Sequence, residues 1–180
     1  MPSGRLRCLI LDAGPIIGLH ELGIWDVFCE RYDVVVPRIV LEDEALFHSR
    51  DEVTGFSSAI SLTTDVTEGH VVVGSASLME VAAIATRLES ALELHEGELE
   101  ALALLTSHEE FDEHVFCTAD GAAIQGACLL GIGERCESLE ELLDVAGLRK
   151  RLSWRFTREF MTRNKREGSE RRIIGHEFER

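Results

Sequence analysis

RCLILDAGPIIGLHELG (Arg7–Gly23) decides how the rest of the chain is read. Arg7–Leu11 is a short, almost wholly apolar run, which predicts a buried strand ending at Asp12. Pro15 suits the first turn of a helix, where its fixed φ fits and its missing N–H costs nothing. Gly23 then marks a stop. An acid therefore stands where a buried strand hands over to a helix. FCTADGAAIQGACLLGI (Phe116–Ile132) repeats the arrangement around Asp120, with an apolar strand before it and a helix after it.

Outward from these two junctions the chain alternates in the same way. IWDVFCERY is a second amphipathic helix, with Ile24, Val27, Phe28 and Tyr32 at helical spacing, and DVVVP is a second strand. Pro37 opens a further helix over RIVLEDEALFHS. Residues 49–75 are polar and rich in Gly, Ser and Thr, a surface excursion with one short helix and a strand at His70–Val73. SLMEVAAIATRLESALEL is a long helix with Ser77 as its cap, and GELEALALLTSHEE is another. HVFCTA is a strand, GERC adds a short one, and SLEELLDVAGL is a last small helix. Helices between short, wholly apolar strands predict a parallel sheet covered on both faces. The fold class is α/β: a three-layer α/β/α fold with a central parallel sheet and a basic C-terminal helical arm.

The 180 residues divide into a body, 1–148, and an arm, 149–180. The net charge of −15 is unevenly spread. The arm holds 11 Lys+Arg and 5 Asp+Glu, and the body holds 7 and 28. Such asymmetry marks either a nucleic-acid-binding arm or one that neutralises the acidic body of its own chain or of a homodimer partner. LRKRLSWRFTREFMTRNKRE reads as a helix in which Leu152, Arg155, Phe156 and Phe160 share a side. Trp154 and Phe156 among arginines suit base stacking and phosphate binding, or docking on the body. No apolar run approaches the roughly 20 residues of a membrane span, and the N-terminus lacks the pattern of a signal peptide. No membrane contact and a cytoplasmic location are expected. The five cysteines form no CxxC and read as buried reduced thiols.

In parallel α/β sheets ligands bind beyond the carboxyl ends of the strands. Asp12 and Asp120 both stand there. Each also has a plainer use, capping the helix that follows. Further acids lie near helix starts: Glu42, Asp43 and Glu44 after the second strand, Glu98 in the first turn of GELEALALL, and Glu100 two residues on. For Glu44 and Glu100 a solvated position is expected. Carboxylates that meet without basic partners repel, and a hard divalent cation among them relieves that cost. HExxH, GxSxG and Walker A patterns are absent from the sequence, which argues against zinc peptidase, serine hydrolase and P-loop chemistry. His95 reads as a surface residue flanking a helix.

Asp12 in LDAGPII, VPRIVLEDEALF, GELEALALL and CTADGAA followed by LLGI, in that order, resemble the PIN-domain ribonucleases, which include VapC-like toxins and related proteins of unassigned role. The resemblance covers residues 7–146. It implies an α/β/α fold whose acids bind Mg²⁺ or Mn²⁺ and hydrolyse RNA phosphodiester bonds. Carried over motif by motif, the site acids are Asp12, Glu98 and Asp120, with Thr118 as a polar contact. The second acid is Asp43 by gap-free alignment or Glu42 by residue type. Gly14 stands where many members have Ser or Thr, so an ordering hydroxyl is missing. A small antitoxin-like protein is a partner the resemblance also implies. The alternative is a catalytically weak or inactive PIN-like module for binding or assembly; a nuclease or phosphatase acting on DNA fits the same acids.

Overall fold

The structure is a computed structural model that describes residues 6–45, 47–50, 57–88 and 93–178. In chain order the elements are β1 (Cys8–Leu11), α1 (Ala13–Glu21), α2 (Trp25–Arg31), β2 (Asp33–Pro37), β3 (Phe47–Arg50), β4 (Ser57–Ala59), α3 (Leu62–Glu68), β5 (Val71–Gly74), α4 (Leu78–Leu88), α5 (Glu96–Ser107), β6 (Val115–Cys117), α6 (Gly121–Leu129), α7 (Leu139–Val145) and α8 (Arg158–Phe178). Four strands form one parallel sheet in the order β5-β2-β1-β6. Successive side chains of a strand point to opposite faces, and the two cores follow from that rule. Leu9, Leu11, Val34 and Val36 pack on one face with α1, α2 and α7. Ile10, Val35 and Phe116 pack on the other with α4, α5 and α6. The chain is thus a mixed α/β molecule of three layers.

The stretch after β2 departs from the sequence expectation. Instead of one helix over RIVLEDEALFHS, a short wide turn runs over Val40–Glu44, and its closing bond joins the Ala45 N–H to the Val40 carbonyl at 2.8 Å. Phe47–Arg50 is then β3, paired antiparallel with β4, a hairpin the sequence reading did not foresee. GERC is a single turn of 3₁₀ helix at Gly133–Arg135, with only Cys136 bridging to Phe116. Ser77 does cap α4: its N–H donates to Glu80 Oε2 at 2.7 Å, and the Glu80 N–H returns to Ser77 Oγ at 3.3 Å. The end expected for that helix, at Leu94, is not helical: residues 93–94 are irregular, and residues 89–92 lie outside the described residues.

The arm begins without helix. Residues 149–153 are irregular, Trp154–Phe156 make a 3₁₀ turn, and α8 starts at Arg158. The Phe160 N–H reaches Thr157 Oγ1 at 3.3 Å, a capping bond that explains the late start. Phe156 joins the core on the α1 face and Met161 the core on the α6 face. At Gly168 an added Cβ would lie 2.8 Å from Gln125 Cα, so α8 meets the α6 backbone directly. The buried Gln125 amide donates to Asn164 Oδ1 at 3.0 Å across the same contact. Arg158 Nη2 meets Asp144 Oδ2 at 2.5 Å, so one arm cation does neutralise the body. All five cysteines are free and four are buried. Among the described residues no helix is long and apolar enough to cross a membrane.

Candidate active site

The strand order reverses at β1. The chain leaves β1 through α1 on one face, and leaves its other neighbour β6 through α6 on the opposite face. Diverging connections open a crevice at the carboxyl ends of the two strands, the usual ligand position in such sheets. Asp12 and Asp120 stand at its floor. The Asp12 N–H donates to the Cys117 carbonyl at 3.1 Å, continuing the β1–β6 ladder one residue further. Its Oδ1 accepts from the Ala13 N–H at 2.7 Å and its Oδ2 from Thr118 Oγ1 at 2.8 Å. The same hydroxyl oxygen accepts the Asp120 N–H at 3.0 Å, so Thr118 ties the two acids together. Asp120 Oδ1 accepts from the N–H groups of Ala122 and Ala123, capping α6, and Oδ2 has no hydrogen bond among the described residues. Capping therefore accounts for half of the Asp120 carboxylate and leaves the other half facing the crevice.

The opposite wall is the start of α5. Glu98, only 4% exposed, folds back so that its Oε2 accepts the His95 N–H at 2.9 Å. Glu44 reaches across from the turn after β2 and its Oε1 accepts the Gly97 N–H at 3.0 Å. Both bonds satisfy N–H groups that a helix start leaves open, and the negative charges suit that end of the helix dipole. The crevice, about 400 Å³, is lined by Asp12, Gly14, Glu44, Glu98 and Asp120, with His95 and Arg155 also on its wall.

Two acids that the motifs suggested lie elsewhere. Glu42 is exposed and pairs with Arg38 at 3.0 Å, one helical turn away, and Asp43 is exposed to solvent. Glu44 comes to the crevice in their place. The wide turn explains the shift: in an α-helix the third and fourth residues after Val40 share its inward face, whereas a turn closed five residues back swings Asp43 off that face and keeps Glu44 near it. Glu100 is corrected too. It is fully buried, and its two oxygens accept the N–H groups of Ile39 (2.7 Å) and Ala76 (3.2 Å), fastening the ends of β2 and β5 to α5. Gly97 was the overlooked signal for Glu44. A Cβ there would overlap the Glu44 carboxylate and lie 2.6 Å from Val40 Cγ2. Gly14 has a similar reason, since its Cβ would sit 3.0 Å from Ala119 Cβ, and the hydroxyl beside Asp12 is that of Thr118.

Burial pushes the Asp12 carboxyl up to about 6, against the pull of its Thr118 and Ala13 hydrogen bonds and with the charges of Glu44 and Asp120 adding to the rise. Burial and then the charge of Asp12 push Glu98 up to about 8, with the His95 N–H opposing and Asp120 and Glu44 adding. Glu98 thus feels the other three acids, and Asp12 feels Glu44 and Asp120. Among the described residues none of the four makes an ion pair with Lys or Arg. An all-oxygen, anionic donor set of this kind suits a hard cation such as Mg²⁺ or Mn²⁺ and not zinc, which prefers nitrogen and sulfur. Among the described residues no three His, Cys, Asp or Glu side chains are already gathered around one point. No family model, curated protein or solved structure matches the chain.

Proposed function

We propose that this protein is a divalent-metal-dependent endoribonuclease of the PIN-domain, VapC-like kind, hydrolysing RNA phosphodiester bonds in the crevice between β1 and β6. The observation that carries the reading is the meeting of Asp12, Glu44, Glu98 and Asp120 at the carboxyl rim of the sheet without a cationic partner. Asp12, fixed by Thr118 and Ala13, and Asp120, fixed by the start of α6, would hold the ion with their free lone pairs. When bound, Mg²⁺ or Mn²⁺ supplies Lewis acidity to a phosphate oxygen and acidifies a bound water. Glu98 from the start of α5 and Glu44 from the turn after β2 complete the donor set and accept the proton that the attacking water gives up. The backbone N–H bonds on all four acids pre-set their positions, so little reorganisation is needed when the substrate phosphate arrives.

Single-stranded RNA is expected to be cut in Mn²⁺, spared in EDTA, and spared by Asp12→Asn and Asp120→Asn. Cleavage indifferent to all of these changes belongs to a contaminant and ends the proposal. The toxin-like role, with a small inhibitory protein as partner, predicts that expression of the wild-type chain slows growth and that Asp12→Asn does not.

A second reading is a PIN-like binding or assembly module with weak metal affinity. The absence, among the described residues, of three ligands gathered at one point favours it. The two readings part on melting temperature. A working metal site raises it progressively with Mn²⁺ concentration, and a module without one leaves it flat.

A further inference from the structure

Among the described residues the arm supplies the one Lys or Arg side chain on the wall of the acidic crevice, Arg155. It is exposed, and among the described residues it makes no ion pair or hydrogen bond, although four carboxylates share its crevice. Its backbone is firmly held on both sides. Phe156 packs in a notch over Gly18 of α1, where an added Cβ would lie 2.8 Å from the ring. Thr157 Oγ1 donates to the Trp154 carbonyl at 2.7 Å, closing the turn. Just beyond it the Arg158 N–H donates to Glu140 Oε2 at 2.8 Å. The guanidinium is thus carried by a rigid turn and left unspent.

The same turn borders a second crevice. Trp154, nearly half exposed and edge-on to Phe160 with ring centroids 6.1 Å apart, lines it with Arg158, Glu159, Thr162, Arg163 and Arg166. Arg163 and Arg166 are paired only along the helix, to Glu167 at 2.9 Å and Glu170 at 3.9 Å, exposed pairs that contribute little and exchange readily for phosphate. An aromatic face between guanidinium groups is the composition of single-strand binding tracks, where bases stack and phosphates are neutralised. A duplex offers its bases no access to such a face.

We propose that Arg155 binds a backbone phosphate at the acidic crevice and that the Trp154–Arg166 groove continues from it as the track of a single-stranded nucleic acid. This rests on the nuclease reading for the placement of the scissile bond, but the binding track stands without it. Arg155 grips the phosphate that enters the acidic crevice, offsetting its repulsion by the carboxylates. Trp154 takes the neighbouring base, and Arg163 and Arg166 take the phosphates beyond.

The test measures binding of a fluorescein-labelled single-stranded RNA 12-mer by anisotropy over a salt series, together with cleavage kinetics of the same strand in Mn²⁺. Full-length Arg155→Ala, Arg155→Lys, Trp154→Ala and Arg163→Ala/Arg166→Ala are compared with the wild type, with single-stranded DNA and duplex RNA as competitors. Arg155→Ala is expected to weaken binding about 10-fold and to reduce the salt slope by about one. KM rises, and the Mn²⁺-dependent melting shift stays unchanged. Arg155→Lys restores the slope. Trp154→Ala weakens binding with the slope intact, and duplex RNA competes poorly. Equal affinity and slope in wild type and Arg155→Ala, with Asp12→Asn still abolishing cleavage, overturns the track and leaves the nuclease standing. Arg155-dependent binding without cleavage keeps the track and ends the nuclease reading. No binding and no cleavage by the wild type ends both.

Discussion

Glu98 and Asp12 hold their protons more tightly in the folded chain than unfolded carboxyls do, with values of about 8 and about 6 against an ordinary range near 4. The folded state therefore binds more protons than the unfolded state between those limits, and stability falls as pH rises through them. In EDTA, the melting temperature is expected to drop from pH 5 to pH 8. Glu98→Gln shrinks that drop by removing the acid with the largest shift, and millimolar Mn²⁺ cancels it for the wild type only. A melting temperature level across that range would show that the acids are not crowded as described. At the second acid the expectation separates neighbours. Glu44→Gln is expected to lower cleavage by at least about 10-fold, while Glu42→Gln, which only releases Arg38 at the surface, leaves it nearly unchanged; the reverse order would restore the motif-based assignment. Asp12 and Asp120 were legible in the sequence because strand-to-helix junctions are local patterns, whereas Thr118 came only with the family resemblance. Glu44 was not, because the group that receives it, the Gly97 N–H, belongs to a helix more than fifty residues away.

Single elements owe their placement to polar groups whose purpose appears only in three dimensions. Arg135, in the turn before α7, spends its guanidinium on three carbonyls: Leu105 at 2.8 Å, His114 at 3.0 Å, and Phe111. These close the end of α5 onto the start of β6, on the far side of the sheet from the crevice. Lysine cannot present that fork, so Arg135→Lys is expected to cost about 2–3 kcal/mol in urea unfolding. Cleavage per folded molecule should be intact. GERC, expected as a short strand, gave no hint of this. Most helices and the four sheet strands were readable from apolar runs and their stops. The β3–β4 hairpin was not, because its residues are polar and its partner strand lies across the excursion.

For the molecule as a whole, the charge asymmetry of the sequence marks off a basic arm, and packing ties that arm to the body. Gly168 against the α6 backbone, Gly121 beneath Asn164 and Gly18 beneath Phe156 are three places where a missing side chain admits the arm. Removing residues 149–180 is therefore expected to yield a body that binds hydrophobic dyes and melts without cooperativity. Gly168→Val, at a backbone contact of 2.8 Å, should lower stability by about 1–3 kcal/mol. A 1–148 fragment melting like the full chain would restore the detachable arm.

That interlocking also has a history within each molecule. Asp12 is made early, and Thr118, which orients it, follows 106 residues later. The turn that carries Arg155 and the helix that seals α6 come after every other part of the described fold. A chain still being translated therefore has its acids before it has the turn that sets Arg155 beside them.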